Sequence, residues 1–199
     1  MTQPVEFFNR LLTLSHVERG RRTLACIHFL GLDAEGIMSL FADSRYQWRE
    51  TYFVLFDRKN RPSTSDLKRV LSELGPRMEV QELSEDEAGN LDSMTVLSHS
   101  DAAGMDVIYV EGEEVKEQVL QLRQEWRTKR PNAKEEPHMT RALHADARFE
   151  VFHFEEITDI PDEEEDGPLD PGTLLLVLNK LARLCQGEAL DPQTGELLE

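Results

Sequence analysis

Cysteine is nearly absent from this chain. Cys26 and Cys185 are too few for a disulfide framework and too far apart for a metal knuckle. Both lie in apolar helical contexts, which reads as two buried structural thiols of a cytoplasmic protein. No apolar run approaches the ~18 residues that a membrane span requires. The opening MTQPVEFFNR lacks the basic start, apolar middle and small-residue cleavage site of a secretory signal. Basic residues are scarce too: 22 Lys and Arg face 39 Asp and Glu, a formal charge of −17. That excludes a nucleic-acid partner as an expectation, because phosphate binding depends on lysine and arginine. Walker, GxGxxG, HExxH, GxSxG and CxxC motifs are all missing.

What is present is local and regular. Tyr52 to Phe56 is a run of aromatic and β-branched residues suited to a central strand, with Tyr52, Val54 and Phe56 on one face and Phe53 and Leu55 on the other. Asp57 to Pro62 breaks the pattern. Ser63 and Asp66 then form a capping box ahead of Leu67, Val70, Leu71 and Leu74, and Gly75-Pro76 ends the helix.

Around this unit the spacing predicts further elements. Helices are expected over 4–14, 15–31 and 34–42, a helical segment of residues 1–50 packing on a sheet. Residues 78–97 read as a β-hairpin, 107–110 and 149–154 as strands, and 113–127 as a helix with Val115, Val119, Leu122 and Trp126 on one stripe. Trp126 is assigned to the core or to a seam. Residues 128–148, with two prolines and no periodicity, are expected to be loop. Residues 155–170 carry nine acids and no base, a solvated acidic linker. Asp170 and Pro171 open an apolar C-terminal helix that Gly187 stops, with Leu174, Leu175, Val177, Leu178, Leu181, Leu184 and Cys185 on its stripe. The closing DPQTGELLE is expected to be a turn and an exposed tail.

The order of elements over 51–154 implies an α+β fold with a ferredoxin-like split βαβ antiparallel sheet. Both of its helices would lie on one face, and the N-terminal and C-terminal helices (171–199 including the tail) would cover the other. That architecture hosts enzymes, sensors and docking modules alike.

Candidate chemistry is sparse, and no catalytic, cofactor-binding or metal-ligating residue is assigned. Ser98-His99-Ser100-Asp101 gathers hydrolase residue types, but adjacent side chains diverge, and a capped polar turn accounts for it. His138, His144 and His153 with Glu135, Glu136 and Asp146 come nearest to a metal set, without helical i, i+4 spacing. Glu85, Asp86, Glu87 and Asp92 lack calcium-loop spacing. Asp57, at the end of a strand, reads as a turn residue bonding the backbone of 58–60. Arg19, Arg21 and Arg22 read as a solvated helix face. The expectation is therefore a non-catalytic interaction or regulatory protein of the cytoplasm. It would meet a protein partner, or a second copy of itself, through the C-terminal helix, without nucleic acid, membrane or cofactor. The alternative is an enzyme or small-ligand sensor with a pocket on the sheet, using Asp57, His99, Asp101 or His153.

Overall fold

The expected central strand is longer than its apolar run. In the computed structural model, which describes residues 39–75, 78–129, 131–157 and 172–198, β1 spans Tyr46–Phe56, and Phe53 through Phe56 are buried. Asp57 accepts from the backbone N–H of Lys59 at 3.1 Å and caps a 3-10 turn over Arg58–Asn60. Ser63 caps α1 (Thr64–Ser72): its hydroxyl accepts from the Asp66 N–H at 3.1 Å and donates to the Asp66 carboxylate at 2.8 Å. The strands β2 (Met78–Glu85), β3 (Leu91–Ser98) and β4 (Ala103–Glu111) follow, and β2 and β3 pair as the expected hairpin. Then come α2 (Glu113–Glu125), a 3-10 turn (Trp126–Thr128), α3 (Glu135–Ala142) and β5 (Ala147–Glu156). The described chain closes with α4 (Gly172–Leu184), β6 (Glu188–Asp191) and β7 (Glu196–Leu198).

The seven strands of the described residues form one open antiparallel sheet in the order β2-β3-β4-β5-β1-β6-β7. The protein is α+β. These pairings do not confirm the ferredoxin-like split βαβ arrangement. The segment holding α2 and α3 leaves β4 and returns as the adjacent antiparallel strand β5, so Glu111 faces Ala147, and β1 lies between β5 and β6.

The layers also differ from expectation. One face, with Val54, Phe56, Val107, Phe149 and Val151, is covered by Leu67 and Leu71 of α1 together with Leu174, Val177, Leu178 and Leu181 of α4. The opposite face packs Phe53, Leu55 and Leu190 against Val115, Val119, Leu122 and Trp126, with Ala142 from α3. The two helices expected on one face are thus on opposite faces, and the C-terminal helix partners α1. Of its apolar stripe, Leu174, Val177, Leu178, Leu181 and Cys185 are core, while Leu175 is exposed.

Two segments, one expected as loop and one as a turn with a tail, hold regular structure, and the expected turn after Asp191 is present. α3 stands within the expected loop, opened by Asn132: its side-chain oxygen accepts from the Glu135 N–H at 3.1 Å, and Glu135 accepts from the Asn132 N–H at 3.0 Å. The Glu136 N–H already donates to the Asn132 carbonyl at 3.0 Å, and Pro137, which cannot donate to Ala133, leaves one bond out of the opening of the helix. The expected tail is the β6-β7 hairpin. The expected helices over 4–14 and 15–31, with Cys26 and the Arg19, Arg21 and Arg22 cluster, lie outside the described residues. Of the third, Leu40–Ala42 is a 3-10 turn. The linker is described as far as Ile157, and its Glu155 and Glu156 belong to β5.

Beyond the helices, the α2 face continues through Phe152 and Phe154, since side chains alternate along β5. There Leu40, Leu97 and Phe154 form a small core, and Phe41 meets both phenylalanine rings edge-on. The buried Asp106 carboxylate pins this turn, accepting from the Leu40 N–H at 2.9 Å, Ser39 Oγ at 2.7 Å and Thr95 Oγ1 at 2.7 Å.

Candidate functional site

The residues singled out by sequence are scattered. His99 contacts Glu79 at 2.7 Å on the outer strand β2, away from either serine. Asp101 accepts from Ser100 at 3.0 Å and from the Thr173 hydroxyl, which ties the β3-β4 turn to the start of α4. Asp146 accepts from the Arg58 N–H at 2.7 Å, and His144 contacts the Thr140 carbonyl. The β2-β3 tip gathers on Arg61, which lies on the Tyr109 ring, bonds the Leu91 carbonyl and pairs with Asp86 and Asp92. His153 sits on the α4 face, its Nδ1 3.5 Å from Glu50 and without a hydrogen bond. Burial lowers its pKa, chiefly by desolvating the imidazolium, against the pull of Glu50. His138 meets Glu188, so the three histidines of the possible metal set lie in different surroundings. Among the described residues, no three His, Cys, Asp or Glu side chains converge as metal ligands would.

A site does form at the β7 edge of the sheet, where the sequence reading placed a tail. α4 ends in a Schellman turn: Gly187 N–H donates to the Ala182 carbonyl at 2.8 Å, and Gln186 takes the left-handed position at φ 53. Gly187 is needed for packing instead, because a Cβ there would collide with the Leu55 carbonyl oxygen. The close approach sets Glu188, Ala189 and Leu190 against β1 as β6. Asp191 then organises the turn by accepting from the Gln193 N–H at 2.7 Å and Thr194 Oγ1 at 3.0 Å. Gly195, at φ +66, returns the chain as β7, with Leu190 opposite Leu197 and Ala189 opposite Leu198.

Two helical segments fix this hairpin. The Gly195 carbonyl accepts from the Trp126 indole at 2.9 Å and from Lys129 Nζ at 3.2 Å. The buried Glu188 carboxylate accepts from Arg141 Nε and contacts His138 Nδ1 at 2.8 Å, which joins α3 to β6. Taking a carboxylate out of water is costly unless it is paired and hydrogen-bonded, and this arrangement satisfies both conditions.

A cleft of about 1340 Å³ runs along this edge, between the Trp126-to-Arg141 segment and α4. That exceeds the ~300–1,000 Å³ of a small-molecule site. Leu175, Leu178, Met139, Leu197 and Leu198 supply apolar wall, and Lys129, Lys134, Arg141 and Arg183 supply positive charge. No serine, threonine, tyrosine or cysteine is among the described residues lining it. The chemistry such a wall offers is apolar contact, cationic attraction and the unpaired backbone of an edge strand.

The sequence held partial signals of this site. Asn132 and Glu135 have capping-box spacing, and Asp191 to Gly195 has turn chemistry. Strands of four and three residues are too short to show a period. Comparison with protein-family models, with curated proteins and with solved structures finds no match to this chain.

Proposed function

We propose that this protein is a non-catalytic interaction module of the cytoplasm that receives a protein partner along the β7 edge and the outer side of α4. The observation that carries this reading is the cleft itself, an apolar wall lying beside an edge strand. Edge strands present unpaired N–H and C=O groups, and strand addition is a recurrent way of binding extended peptides. The two edges of this sheet are not alike. β2 is guarded by Glu79, Glu82 and Glu85 and by two breaks in its register with β3, both devices that discourage pairing. β7 carries Leu197 and Leu198 and faces the cleft. On α4, Leu175 is 38% exposed and Leu176 54% exposed, so the helix presents leucines outward as well as inward. An enzyme or small-ligand sensor is the alternative, and the cleft's size and lack of hydroxyl or thiol nucleophiles favour the interaction reading.

Panning a random library of twelve-residue peptides against the full chain tests the reading. Enriched peptides are expected to bind the wild type and to lose at least tenfold affinity on Leu197→Asp/Leu198→Asp. No enrichment, or enrichment indifferent to that change, would reject it.

A further inference from the structure

We infer that the β7 cleft selects an acidic, extended segment of its partner. This rests on the interaction reading above and specifies the chemistry of the occupant. The reason is a local inversion of charge. The whole chain has 39 acids against 22 bases, whereas the cleft wall has four Lys and Arg side chains against three carboxylates. Glu188 is buried and paired with Arg141, with His138 beside it, which leaves Lys129, Lys134 and Arg183 against Glu135 and Glu196. Lys134 and Arg183 are exposed, and among the described residues neither forms an ion pair. They stand on opposite sides of the cleft, Lys134 just before α3 and Arg183 on the last turn of α4.

An added strand sends successive side chains to the two faces of the sheet. Beside β7, one set would meet the Lys134 and Met139 side, and the other the Arg183 and Leu175 side. Glutamates or aspartates interleaved with apolar residues satisfy both walls. Away from this edge, acids outnumber bases among the described residues, so charge favours this edge over the rest of that surface. A basic partner would be drawn to the acidic remainder of the surface instead.

The experiment uses the full-length protein and fluorescence anisotropy with three labelled ten-residue peptides. One alternates glutamate with valine and threonine, one carries lysine for each glutamate, and one is the acidic peptide with two central prolines. The acidic peptide is expected to bind at least tenfold more tightly than the lysine peptide, with affinity falling as salt is raised. The proline version should lose binding, since proline cannot donate to a ladder. Lys134→Glu/Arg183→Glu, two exposed positions, is expected to reverse the charge preference while leaving the circular dichroism spectrum unchanged. Equal or tighter binding of the lysine peptide, or a single-stranded oligonucleotide binding more tightly than either, overturns the inference. If peptides selected by panning bind without regard to charge, the interaction reading stands and the acidic selectivity falls. If no peptide of any composition binds, both fall.

Discussion

The Trp126 indole N–H donates to the Gly195 carbonyl at 2.9 Å across 69 positions of sequence. This bond joins the end of α2 to the turn that produces β7, so the strand edge of the cleft is held by a residue far away in sequence that lines the same cleft. Trp126→Phe keeps most of the packing and removes the donor. The expected loss is ~1 kcal/mol in urea unfolding, the usual net worth of such a bond. Amide exchange should quicken at residues 195–198 while that of β4 and β5 stays slow.

Asp106 supports the opposite end of the sheet. Burial raises its pKa, and the bonds from Ser39, Thr95 and Leu40 only partly offset this. A carboxyl that holds its proton more tightly when folded makes the native state lose stability as pH rises. Its contribution is full below the unfolded value of 3.8 and lost as pH climbs through the folded value. Asp106→Asn is expected to flatten this part of the stability profile, measured by urea midpoints from about pH 3.5 upward. Asp106→Leu strands three donors and is expected to cost ~1–3 kcal/mol. A flat profile in the wild type would show that the carboxylate is fully accommodated.

His153 has the opposite sense. Its folded pKa is lowered by burial, so the unfolded chain takes up a proton first as pH falls below ~6.5. Stability therefore declines from about pH 6.5 downward until the folded imidazole also titrates. His153→Phe is expected to remove that component, read as a smaller drop in unfolding midpoint between about pH 7 and about pH 5 than the wild type shows. An unchanged drop would show that His153 does not carry it.

α4 separates core from surface along one helix. Leu181 is 1% exposed and Leu176 54% exposed. Leu181→Ala is expected to destabilise by ~2–5 kcal/mol, and Leu176→Ala by under ~0.5 kcal/mol. A chain cut after Asp166 loses α4, β6 and β7 together and is expected not to fold cooperatively, with light scattering reporting aggregates. A soluble folded monomer from that cut would contradict the packing of α4 on the sheet.

The Ser63 cap, the Asp57 turn, the β2-β3 hairpin and the alternation of Phe149, Val151 and His153 against Phe152 and Phe154 were legible because each depends on neighbours within a few positions. The apolar stripe of the C-terminal helix was legible too, although whether it covers its own sheet or another chain was not. α3 was missed because two prolines and a short stripe hid a capping box. The β6-β7 hairpin was missed because it makes sense only beside β1, where Gly187 lets it approach.

By itself the sequence determined the kinds of element, most of their caps and which side chains need burial, since those follow from periods of two and 3.6 residues and from turn chemistry. Tertiary structure alone decided the strand order, the pairing of α1 with α4, the division of helices between faces, and the cleft at β7. These depend on contacts between residues far apart in the chain, such as Phe53 with Leu190 and Trp126 with Gly195, for which no local pattern codes.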